Sequence, residues 1–529
     1  MSESKRLEIK HPTDNPAIDL VLDTLERKKQ ALVFVNTKRG AEKAAEDIAA
    51  KIKIDNAGYR KELEELSDEI LHALPRPTRQ CERAARCIKK GIAFHHAGLT
   101  QKQKTLIEDS FRNGKIKIIA CTPTLAFGLN LPAFRAIIRD LKRYGRRGLD
   151  WIPVLEYQQM SGRCGRPGFD SWGEAIAVAS SEKEKEAITE MYVLGESEDI
   201  YSKLAVEPVL RTYVLSLIAS EFCQSREDLE KFFSKTFWAH QYKDIEKLGA
   251  ILDRMIKLLA DFEFVESPKK RSGDFISADE IDEKERLSAT TIGKRVAELY
   301  IDPLTAHDIM VALQRAPEKI INEMSFLHLA SSCLELRPLL RVKQSEYDDV
   351  QERLAEFDSN MIVLEPSAYD PDYDSFLNAF KTALFFNDWI DENDEEELLE
   401  KYNIRPGEIR VKLELANWLL YASEELARMT KKMKVVSAII KTRLRMRHGV
   451  KEELLPLLKL GGIGRVRARK LYNNKIKDVG DVKKADLMKL VQIVGKATAL
   501  SIKKQVGEDI EKAVVPERKR KGQISLKDY

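Results

Sequence analysis

The sequence predicts an α/β domain, a parallel sheet with helices on both faces, followed by mainly α-helical domains. Two patterns predict this class. Over roughly the first 200 residues short apolar runs alternate with helical periodicity, and afterwards helical periodicity dominates. The third observation is length, because 529 residues at roughly 100–200 residues per domain correspond to three to five domains.

Composition narrows the class of protein. Hydrophobic residues make up 43% of the chain, enough for several cores, and the net charge of +4 means that any basic surface is local. No run approaches the ~18 apolar residues of a membrane span, and the N-terminus has no signal-peptide pattern. The six cysteines form no CxxC pair, so we expect a cytoplasmic protein with neither a metal site nor a disulfide framework.

The α/β domain is expected over residues 1–200. Its strands are the short apolar runs Ala31–Val35, Gly91–Phe94, Ile116–Cys121, Ala136–Ile138 and Ala175–Ala179. Between the first two runs, apolar residues at i, i+3, i+4, i+7, i+8 and i+11 from Ala41 predict a helix with one apolar face. The segment 60–90 is longer than an ordinary crossover and is expected to add a helical piece.

The rest of the chain is expected to form three helical domains and a tail. Helical periodicity from Glu207 to Phe262, followed by a charged, turn-rich stretch, indicates a winged helix over 201–302. Nearly continuous helix is expected over 303–448, and a small, basic helical domain over 449–515. The charged residues from Pro516 onward predict a flexible tail, 516–529.

The strongest functional motif is Gln159-Met-Ser-Gly-Arg163-Cys-Gly-Arg166-Pro-Gly. Its glycines let the backbone approach a ligand closely, and two arginines three residues apart can point at one anion. Guanidinium groups clamp phosphate oxygens and keep their charge, which a nucleotide requires when charge develops on its γ-phosphate. The alternative interpretation of the bare GRxGR pattern is a glycine-rich turn on a basic surface.

Three further motifs precede this one, each after an apolar run: Leu32-Val-Phe-Val-Asn-Thr-Lys38, His95-His96-Ala-Gly-Leu99 and Thr122-Pro-Thr-Leu-Ala-Phe-Gly128-Leu-Asn130-Leu-Pro132. Together the four stretches resemble motifs IV, IVa, V and VI of superfamily 2 helicases of the Ski-two-like group. Over essentially the whole chain, the sequence is similar to the archaeal DNA repair helicases related to eukaryotic HELQ. The resemblance implies that residues 1–200 are the second RecA-like motor domain.

The same resemblance implies a nucleotide site that binds ATP and Mg²⁺, held mainly by a first motor domain. In that site Arg166 would be the arginine finger, and Arg163 and Gln159 would support the γ-phosphate. Gly128 and Asn130 would link the state of the nucleotide to the grip on DNA.

Polar residues of the earlier motifs are implied to face DNA. Thr37, Lys38 and Thr122 would contact phosphates, with simple helix capping as the alternative for the two threonines. His95 and His96 have no carboxylate or cysteine neighbours at ligand spacing, so we expect a core or supporting role for them instead of metal binding.

A basic, aromatic stretch between the third and fourth motifs predicts a β-hairpin, with turn freedom supplied by Gly145 and Gly148. Tyr144 and Trp151 could stack on bases while neighbouring arginines reach phosphates. In the related helicases a hairpin at this place splits the duplex. The alternative is a solvated surface hairpin.

Pro406 and Gly407 begin a long predicted helix that carries Arg410 and Trp418. These two residues are eight apart, about 80° around the helix, so one face can offer a phosphate contact and a stacking ring. In the family this helix is the ratchet that moves single-stranded DNA through a pore, which makes 303–448 a helical ratchet domain. The family has a second basic residue where this chain has Val411, and the alternative for Trp418 is packing within the bundle.

The stretch from Leu457 to Leu471 fits a helix-hairpin-helix. Gly462 and Gly464 expose backbone N–H groups at a helix N-terminus, where a DNA phosphate can bind, with Arg465 and Arg467 beside them. The alternative is a purely structural hairpin.

The last residues resemble a peptide that docks on a sliding clamp. Gln523, Leu526 and Tyr529 carry the pattern, although the usual second aromatic residue is missing. An ordinary basic tail is the alternative.

These 529 residues contain neither GxxxxGK followed by Ser or Thr nor a DExH-type acidic motif after an apolar strand. We therefore expect the chain alone to bind DNA without hydrolysing ATP, and a first motor domain to precede residue 1 or to act in trans as a separate chain. By resemblance, the complete helicase translocates 3′ to 5′ on single-stranded DNA and unwinds forks in replication-coupled repair. Two alternatives stay open: a non-catalytic DNA-binding protein derived from the helicase, and an RNA helicase component.

Overall fold

The chain folds into two units in the computed structural model, which describes residues 7–74, 77–127, 130–145, 148–166, 168, 170–204, 206–243, 245–266 and 286–507. One unit is Met1–Tyr201 together with Asn403–Val411, and the other is Ser202–Tyr402 with Lys412–Tyr529. No sequence pattern indicated that the short segment Asn403–Val411 belongs to the first unit.

A five-stranded parallel sheet forms the centre of the first unit. The strands of this unit are β1 (Ala31–Phe34), β2 (Ile92–His95), β3 (Ile118–Cys121), β4 (Arg135–Ile138), β5 (Lys142–Gly145), β6 (Gly148–Trp151) and β7 (Glu174–Ala177). The sheet has the order β2-β3-β1-β4-β7, and β5 and β6 form a separate antiparallel hairpin. Every side chain of β1 to β4 is buried, so both faces of the sheet are covered. The predicted strands are confirmed, each within two residues.

Helices surround this sheet: α1 (Pro16–Glu26), α2 (Lys38–Lys51), α3 (Ala57–Leu71), α4 (Arg79–Ile88), α5 (Gln101–Arg112), α6 (Val154–Ser161) and α7 (Glu182–Ile188), with a 3₁₀ turn at Pro123–Ala126 and a π turn at Thr189–Val193. Helix α2 begins after Thr37, and its buried alanines and isoleucine form the predicted apolar face. Helices α3 and α4 are the additional helical piece expected between residues 60 and 90.

A winged helix follows, as the sequence predicts. Its elements are α8 (Glu207–Ala219), α9 (Arg226–Phe233), α10 (Phe237–Tyr242), α11 (Ile245–Asp261), β8 (Val265–Glu266), β9 (Ser288–Ala289) and α12 (Thr291–Leu299). Strands β8 and β9 pair antiparallel.

The next part is almost wholly helical. It consists of α13 (Pro303–Arg315), α14 (Glu323–Ser332), α15 (Tyr347–Phe357), α16 (Tyr373–Ile390), α17 (Glu395–Lys401), α18 (Pro406–Met429) and α19 (Met433–His448), with 3₁₀ turns at Ala316–Glu318, Leu334–Leu336, Gln344–Glu346 and Asp358–Asn360. Helix α18 is the long helix predicted to begin at Pro406.

The C-terminal helices are α20 (Arg465–Asn473), α21 (Val479–Lys484), α22 (Leu487–Val494) and α23 (Lys496–Gln505), and they share a small apolar core. The residues expected to pack the hairpin, from Leu457 to Leu471, lie in this core. Among the described residues, no α-helix lies directly before the hairpin turn. That stretch forms the 3₁₀ turns Glu452–Leu454 and Leu457–Lys459, because Pro456 between them lacks the N–H that a continuous helix needs.

Candidate nucleotide and nucleic-acid interface

Polar side chains follow the strands of the parallel sheet at their carboxyl ends, which is where open α/β sheets bind ligands. Thr37 and Lys38 follow β1, His96 follows β2, and Thr122 follows β3. Asp140, after β4, accepts a hydrogen bond from the backbone N–H of Asn36 at 3.1 Å and so ties the ends of two neighbouring strands together. The structure thus brings the predicted motif residues to one edge of one sheet.

The three residues predicted to contact DNA phosphates all have partners within the chain. Thr37 caps helix α2, because its hydroxyl accepts the N–H of Gly40 at 2.9 Å. Lys38 forms an ion pair with Glu408. The buried Thr122 hydroxyl lies 2.9 Å from that of Thr124. Helix capping therefore describes Thr37, and contact of these residues with DNA stays a prediction.

The arginine motif begins at the end of helix α6, where Gln159 is exposed. Arg163, half-buried, donates to the backbone carbonyl of Ala126 at the end of the 3₁₀ turn after β3. The backbone of Gly165 has φ of +83°, and a Cβ added at Gly173 would lie 2.2 Å from the Gly165 nitrogen. This close approach explains why glycines occupy the turn. The hydrogen bond from Arg163 to Ala126 links the arginine motif directly to the preceding one.

Arg166 is held by two side chains of its own domain. Its guanidinium forms two hydrogen bonds with the Asp170 carboxylate, at 2.7 and 3.1 Å, and a third with the side-chain oxygen of Gln30 at 2.6 Å. Lys29 also binds Asp170, at 2.6 Å. The hydrogen bonds from Arg166, reinforced by Lys29, outweigh burial and lower the pKa of Asp170 to about 2. The Arg166 side chain nevertheless keeps 21% of its surface exposed.

Sequence reasoning missed Asp170 and Glu198. Asp170 lies four residues after Arg166, a spacing that suits an ion pair and could have indicated the contact. Glu198 accepts hydrogen bonds from the backbone N–H groups of Val154 at 2.6 Å and Leu155 at 3.1 Å, and so caps α6, which has no cap of its own after Pro153. No local pattern indicated this contact.

Gly128 and Asn130, of the motif after β3, are the residues predicted to link the nucleotide to the grip on DNA. Gly128 lies outside the described residues, and Asn130 is exposed after the 3₁₀ turn.

The predicted hairpin is present as β5 and β6. The Tyr144 ring is 85% exposed near its tip, whereas Trp151 is half-buried. The Trp151 ring contacts the ammonium group of Lys142, 4.1 Å from its centroid, and the ring of Tyr192 at 6.1 Å. Tyr144 is therefore the aromatic residue that is open to a base, while Trp151 packs the hairpin onto the domain.

On helix α18, Arg410 is exposed and Trp418 is half-buried. The Trp418 indole N–H donates to the carbonyl of Leu299 at 3.1 Å. One edge of the Trp418 ring thus packs against Leu299, at the end of the winged helix. Val411, where the family has a basic residue, is 55% exposed.

At the C-terminal hairpin, Gly462 has φ of +82° and Gly464 precedes helix α20 without a side-chain cap. Both glycines are exposed. Arg467 donates to the Gly462 carbonyl at 2.8 Å, and Arg465 donates to the Asn393 carbonyl at 2.6 Å. The two predicted arginines are thus oriented by backbone carbonyls, and binding of a DNA phosphate at this turn stays a prediction.

Sequence reasoning missed a second hairpin of the same kind. Gly495, with φ of +87°, joins helices α22 and α23. The signal was a glycine between two amphipathic runs, followed by Lys496.

The two histidines of the second motif are buried and paired with carboxylates. His95 contacts Glu108 at 2.9 Å, and His96 contacts Glu42 at 3.1 Å. Among the residues that the structure describes, no three His, Cys, Asp or Glu side chains are grouped so that they could hold a metal ion. Within the same part of the chain, no helix is both long and apolar enough to cross a bilayer.

Comparison with known families agrees with these motifs. Residues 16–168 match the helicase conserved C-terminal domain, residues 173–266 match a helix-turn-helix domain, and residues 324–449 match domain 4 of archaeal helicases. The helix-turn-helix match begins before residue 201, where the sequence placed a domain boundary, and the exact boundaries stay predictions.

Several curated relatives carry the name ATP-dependent DNA helicase Hel308. The protein of Methanococcus vannielii is 40% identical over 90% of this chain and 65% of its own length. The protein of Pyrococcus abyssi is 38% identical over 96% of this chain and 67% of its own length, and that of Methanocella arvoryzae is 37% identical over 96% and 66%. The chain thus spans about two thirds of the length of these relatives. At this identity and coverage, the chain belongs to the Hel308 family of archaeal DNA helicases.

Proposed function

We propose that this chain contributes the second RecA-like motor domain and the DNA-gripping domains of an ATP-dependent DNA helicase. In this proposal it hydrolyses ATP only together with a first motor domain that carries a P-loop. The observation on which the proposal depends is the Arg163–Arg166 motif on a RecA-like sheet, in a sequence of 529 residues without a P-loop. The names of the relatives support the activity.

The described residues suit the phosphates of ATP better than they suit Mg²⁺. Arg163 and Arg166 are half-buried cations at a glycine-rich turn. Among the described residues, by contrast, no three His, Cys, Asp or Glu side chains are grouped so that they could hold a metal ion. ATP supplies the phosphoryl group whose transfer drives movement. Arg166 would stabilise the charge that develops on the γ-phosphate, and it would exchange the Asp170 carboxylate for phosphate oxygens when it does so.

Three exposed groups support a role in gripping DNA. The Tyr144 ring projects from the hairpin, Arg410 lies on the surface of helix α18, and the glycines of the C-terminal hairpin offer backbone N–H groups. We propose single-stranded and forked DNA as the substrate, with 3′ to 5′ movement. Fork duplexes with either a 3′ or a 5′ single-stranded arm test this polarity, and faster unwinding from a 5′ arm would contradict it.

The direct test is ATPase activity measured on three samples with single-stranded DNA: the chain, a separate P-loop motor domain, and their mixture. We expect turnover in the mixture alone. Arg166→Ala should abolish this turnover while DNA affinity, measured by fluorescence anisotropy, changes little. Arg112→Ala removes an exposed arginine of the same unit and serves as the control. ATP hydrolysis by the chain alone, or full activity of Arg166→Ala, would refute the proposal.

One observation favours a second candidate function, a non-catalytic protein that holds DNA. Asp170 already neutralises the predicted finger, as a purely structural ion pair would. In that case Arg166→Ala would leave every measured activity unchanged, and the mixture would hydrolyse no ATP. An RNA helicase component is a third candidate, which competition between DNA and RNA strands of equal sequence distinguishes.

The proposed sliding-clamp peptide, Gln523, Leu526 and Tyr529, lies outside the described residues. We propose that it docks on a clamp through Leu526 and Tyr529. Calorimetric titration of the chain with a clamp should show binding that Leu526→Ala removes, and equal binding of both forms would contradict this role.

A further inference from the structure

Tyr300, the residue directly after helix α12, is exposed although both of its neighbours are buried. It is 82% exposed, whereas Leu299 and Ile301 are almost completely buried. Among the described aromatic residues, only Tyr144 and Tyr369 are more exposed. A single exposed ring is ordinary on a protein surface, so exposure alone assigns no role to Tyr300.

The backbone of Tyr300 is left-handed, with φ of +56° and ψ of +27°. Glycine or asparagine usually occupies this position after a helix, because a larger side chain is disfavoured there. In the described part of the chain, the other non-glycine residues with positive φ are all lysine, glutamate or asparagine, so Tyr300 is the one aromatic residue in this conformation. Folding gains nothing from a ring that stays in water on an unfavourable backbone, and this combination is characteristic of a residue that serves a ligand.

Contacts with the surrounding helices fix the backbone on both sides of Tyr300. Before it, the carbonyl of Leu299 accepts the indole N–H of Trp418 at 3.1 Å. After it, Asp302 caps helix α13 and accepts two hydrogen bonds from the buried guanidinium of Arg211 on helix α8. The Tyr300 ring therefore projects from a backbone whose position is set before any ligand binds, which lowers the entropic cost of binding.

The same contacts place Tyr300 beside helix α18. Arg295, about one turn before Leu299 on α12, donates to the Glu425 carboxylate at 2.8 Å. Helix α12 thus contacts α18 first at Glu425 and then at Trp418, so the two helices run antiparallel here. Consecutive Cα atoms are ~3.8 Å apart, so Tyr300 lies next to the residue that binds Trp418. All of these residues belong to the second unit.

We propose that Tyr300 is a stacking platform for an unpaired base of single-stranded DNA, beside Trp418. The inference rests on the proposed function, because it adds one contact to the strand that this chain is proposed to grip. Every base has a π-face, so an aromatic ring binds a single strand with little regard to its sequence. Tyrosine suits such a site, since its ring is rigid and apolar while its hydroxyl stays hydrated.

Binding of single-stranded DNA by the chain alone tests the proposal, because this measurement needs no P-loop domain. In anisotropy titrations, Tyr300→Ala should weaken the affinity on the order of 5- to 150-fold. Tyr300→Phe keeps the ring and should bind as the wild type does. Tyr369→Ala, at a tyrosine of the same unit that is 99% exposed, is the matched control and should also bind normally.

Tyr300→Gly separates binding from folding. Glycine adopts the left-handed backbone without a steric cost, so this variant should resist thermal unfolding at least as well as the wild type. It should nevertheless bind DNA as weakly as Tyr300→Ala. A loss of affinity in a variant of undiminished stability cannot come from misfolding.

A photochemical cross-link identifies the contact directly. Single strands that carry 5-iodouracil are irradiated in complex with the chain, and the linked peptide is identified by mass spectrometry. We expect the peptide that contains Tyr300 to be linked in the wild type and not in Tyr300→Ala.

Each other outcome overturns the stacking role. Equal affinity of the wild type and Tyr300→Ala refutes it, and equal losses in Tyr300→Ala and Tyr300→Phe assign the contact to the hydroxyl instead of the ring. A protein surface is the other occupant to test. If Tyr300→Ala keeps its DNA affinity but requires more of a P-loop motor domain for half-maximal ATPase, the ring contacts that domain and the proposal is wrong.

The wild type distinguishes this failure from failure of the proposed function. If the wild-type chain binds no single-stranded DNA, the proposed grip on DNA is refuted, and the stacking role with it. If the wild type binds DNA and loses nothing on Tyr300→Ala, the stacking role alone is refuted.

Discussion

Lowering the pH should reduce the folding stability of the helices around His328. This residue lies on helix α14, fully buried, with its ring against Phe376 at 4.9 Å and Phe380 at 6.0 Å. Among the described residues, neither ring nitrogen has a hydrogen-bond partner of normal geometry. Burial lowers the pKa of His328 from 6.5 to about 4, and the backbone of Phe376 opposes this only in part.

The lowered pKa of His328 determines how the folding stability depends on pH. The folded state favours the neutral ring, so its stability is complete above pH 6.5 and falls as the pH drops towards about 4. At pH 5 an unfolded histidine is mostly protonated while the folded one is mostly neutral. With pKa values of 6.5 and about 4, this difference costs about 2 kcal/mol of folding free energy.

The assay is urea unfolding followed by hydrogen exchange in helix α14, at pH 7.5 and at pH 5, because a chain of two units need not unfold in one step. His328→Leu fills the site with a side chain that cannot titrate. Relative to wild type, its stability should rise by about 2 kcal/mol on going from the higher to the lower pH. His240→Leu, at an exposed histidine, is the control. A wild-type-to-variant difference that is the same at both pH values would refute the reasoning.

Three further changes test single contacts. Trp418→Phe keeps an aromatic ring but loses the hydrogen bond to Leu299, so thermal denaturation should show a loss of about 1 kcal/mol, and no loss would argue against that bond. Asp170→Asn removes the carboxylate that Arg166 binds and should cost up to about 2 kcal/mol at pH 7. In wild type this contribution is lost as the pH falls from 3.8 through about 2, which acid titration of unfolding measures. Tyr144→Ala should leave stability within about 0.5 kcal/mol and weaken fork binding by about 1–3 kcal/mol in anisotropy titrations, and unchanged binding would exclude base stacking.

Local patterns predicted the elements that local physics determines. The strand at Ala31–Phe34 is a run of apolar residues buried on both faces, and helix α2 begins at a threonine whose hydroxyl caps it. The hairpin of β5 and β6 follows from a basic, aromatic stretch in which Gly145 and Gly148 supply turn freedom. Pro456 is also a local signal. The interruption of regular α-helix at this proline, before the C-terminal hairpin, could have been predicted from the sequence.

Contacts between distant residues could not be predicted in this way. Lys29 and Asp170 are 141 positions apart, and Glu42 and Arg405 are 363 apart. Each pair meets only through the tertiary fold, which periodicity along the sequence does not determine. The motifs identified the cations Arg166 and Lys38, but not the carboxylates of Asp170 and Glu408 that pair with them.

These carboxylates compete with any anion for the cations of the candidate site. Arg166 is paired with Asp170 and Lys38 with Glu408, so phosphate must displace an internal partner instead of meeting an unpaired charge. When a phosphate replaces the paired carboxylate, fewer counterions are released from the protein side. The free energy of the broken ion pair is also lost. We therefore expect phosphate binding at these two cations to be selective for a ligand placed well enough to replace a bidentate carboxylate, and exposed groups such as Arg410 to supply the general attraction to DNA.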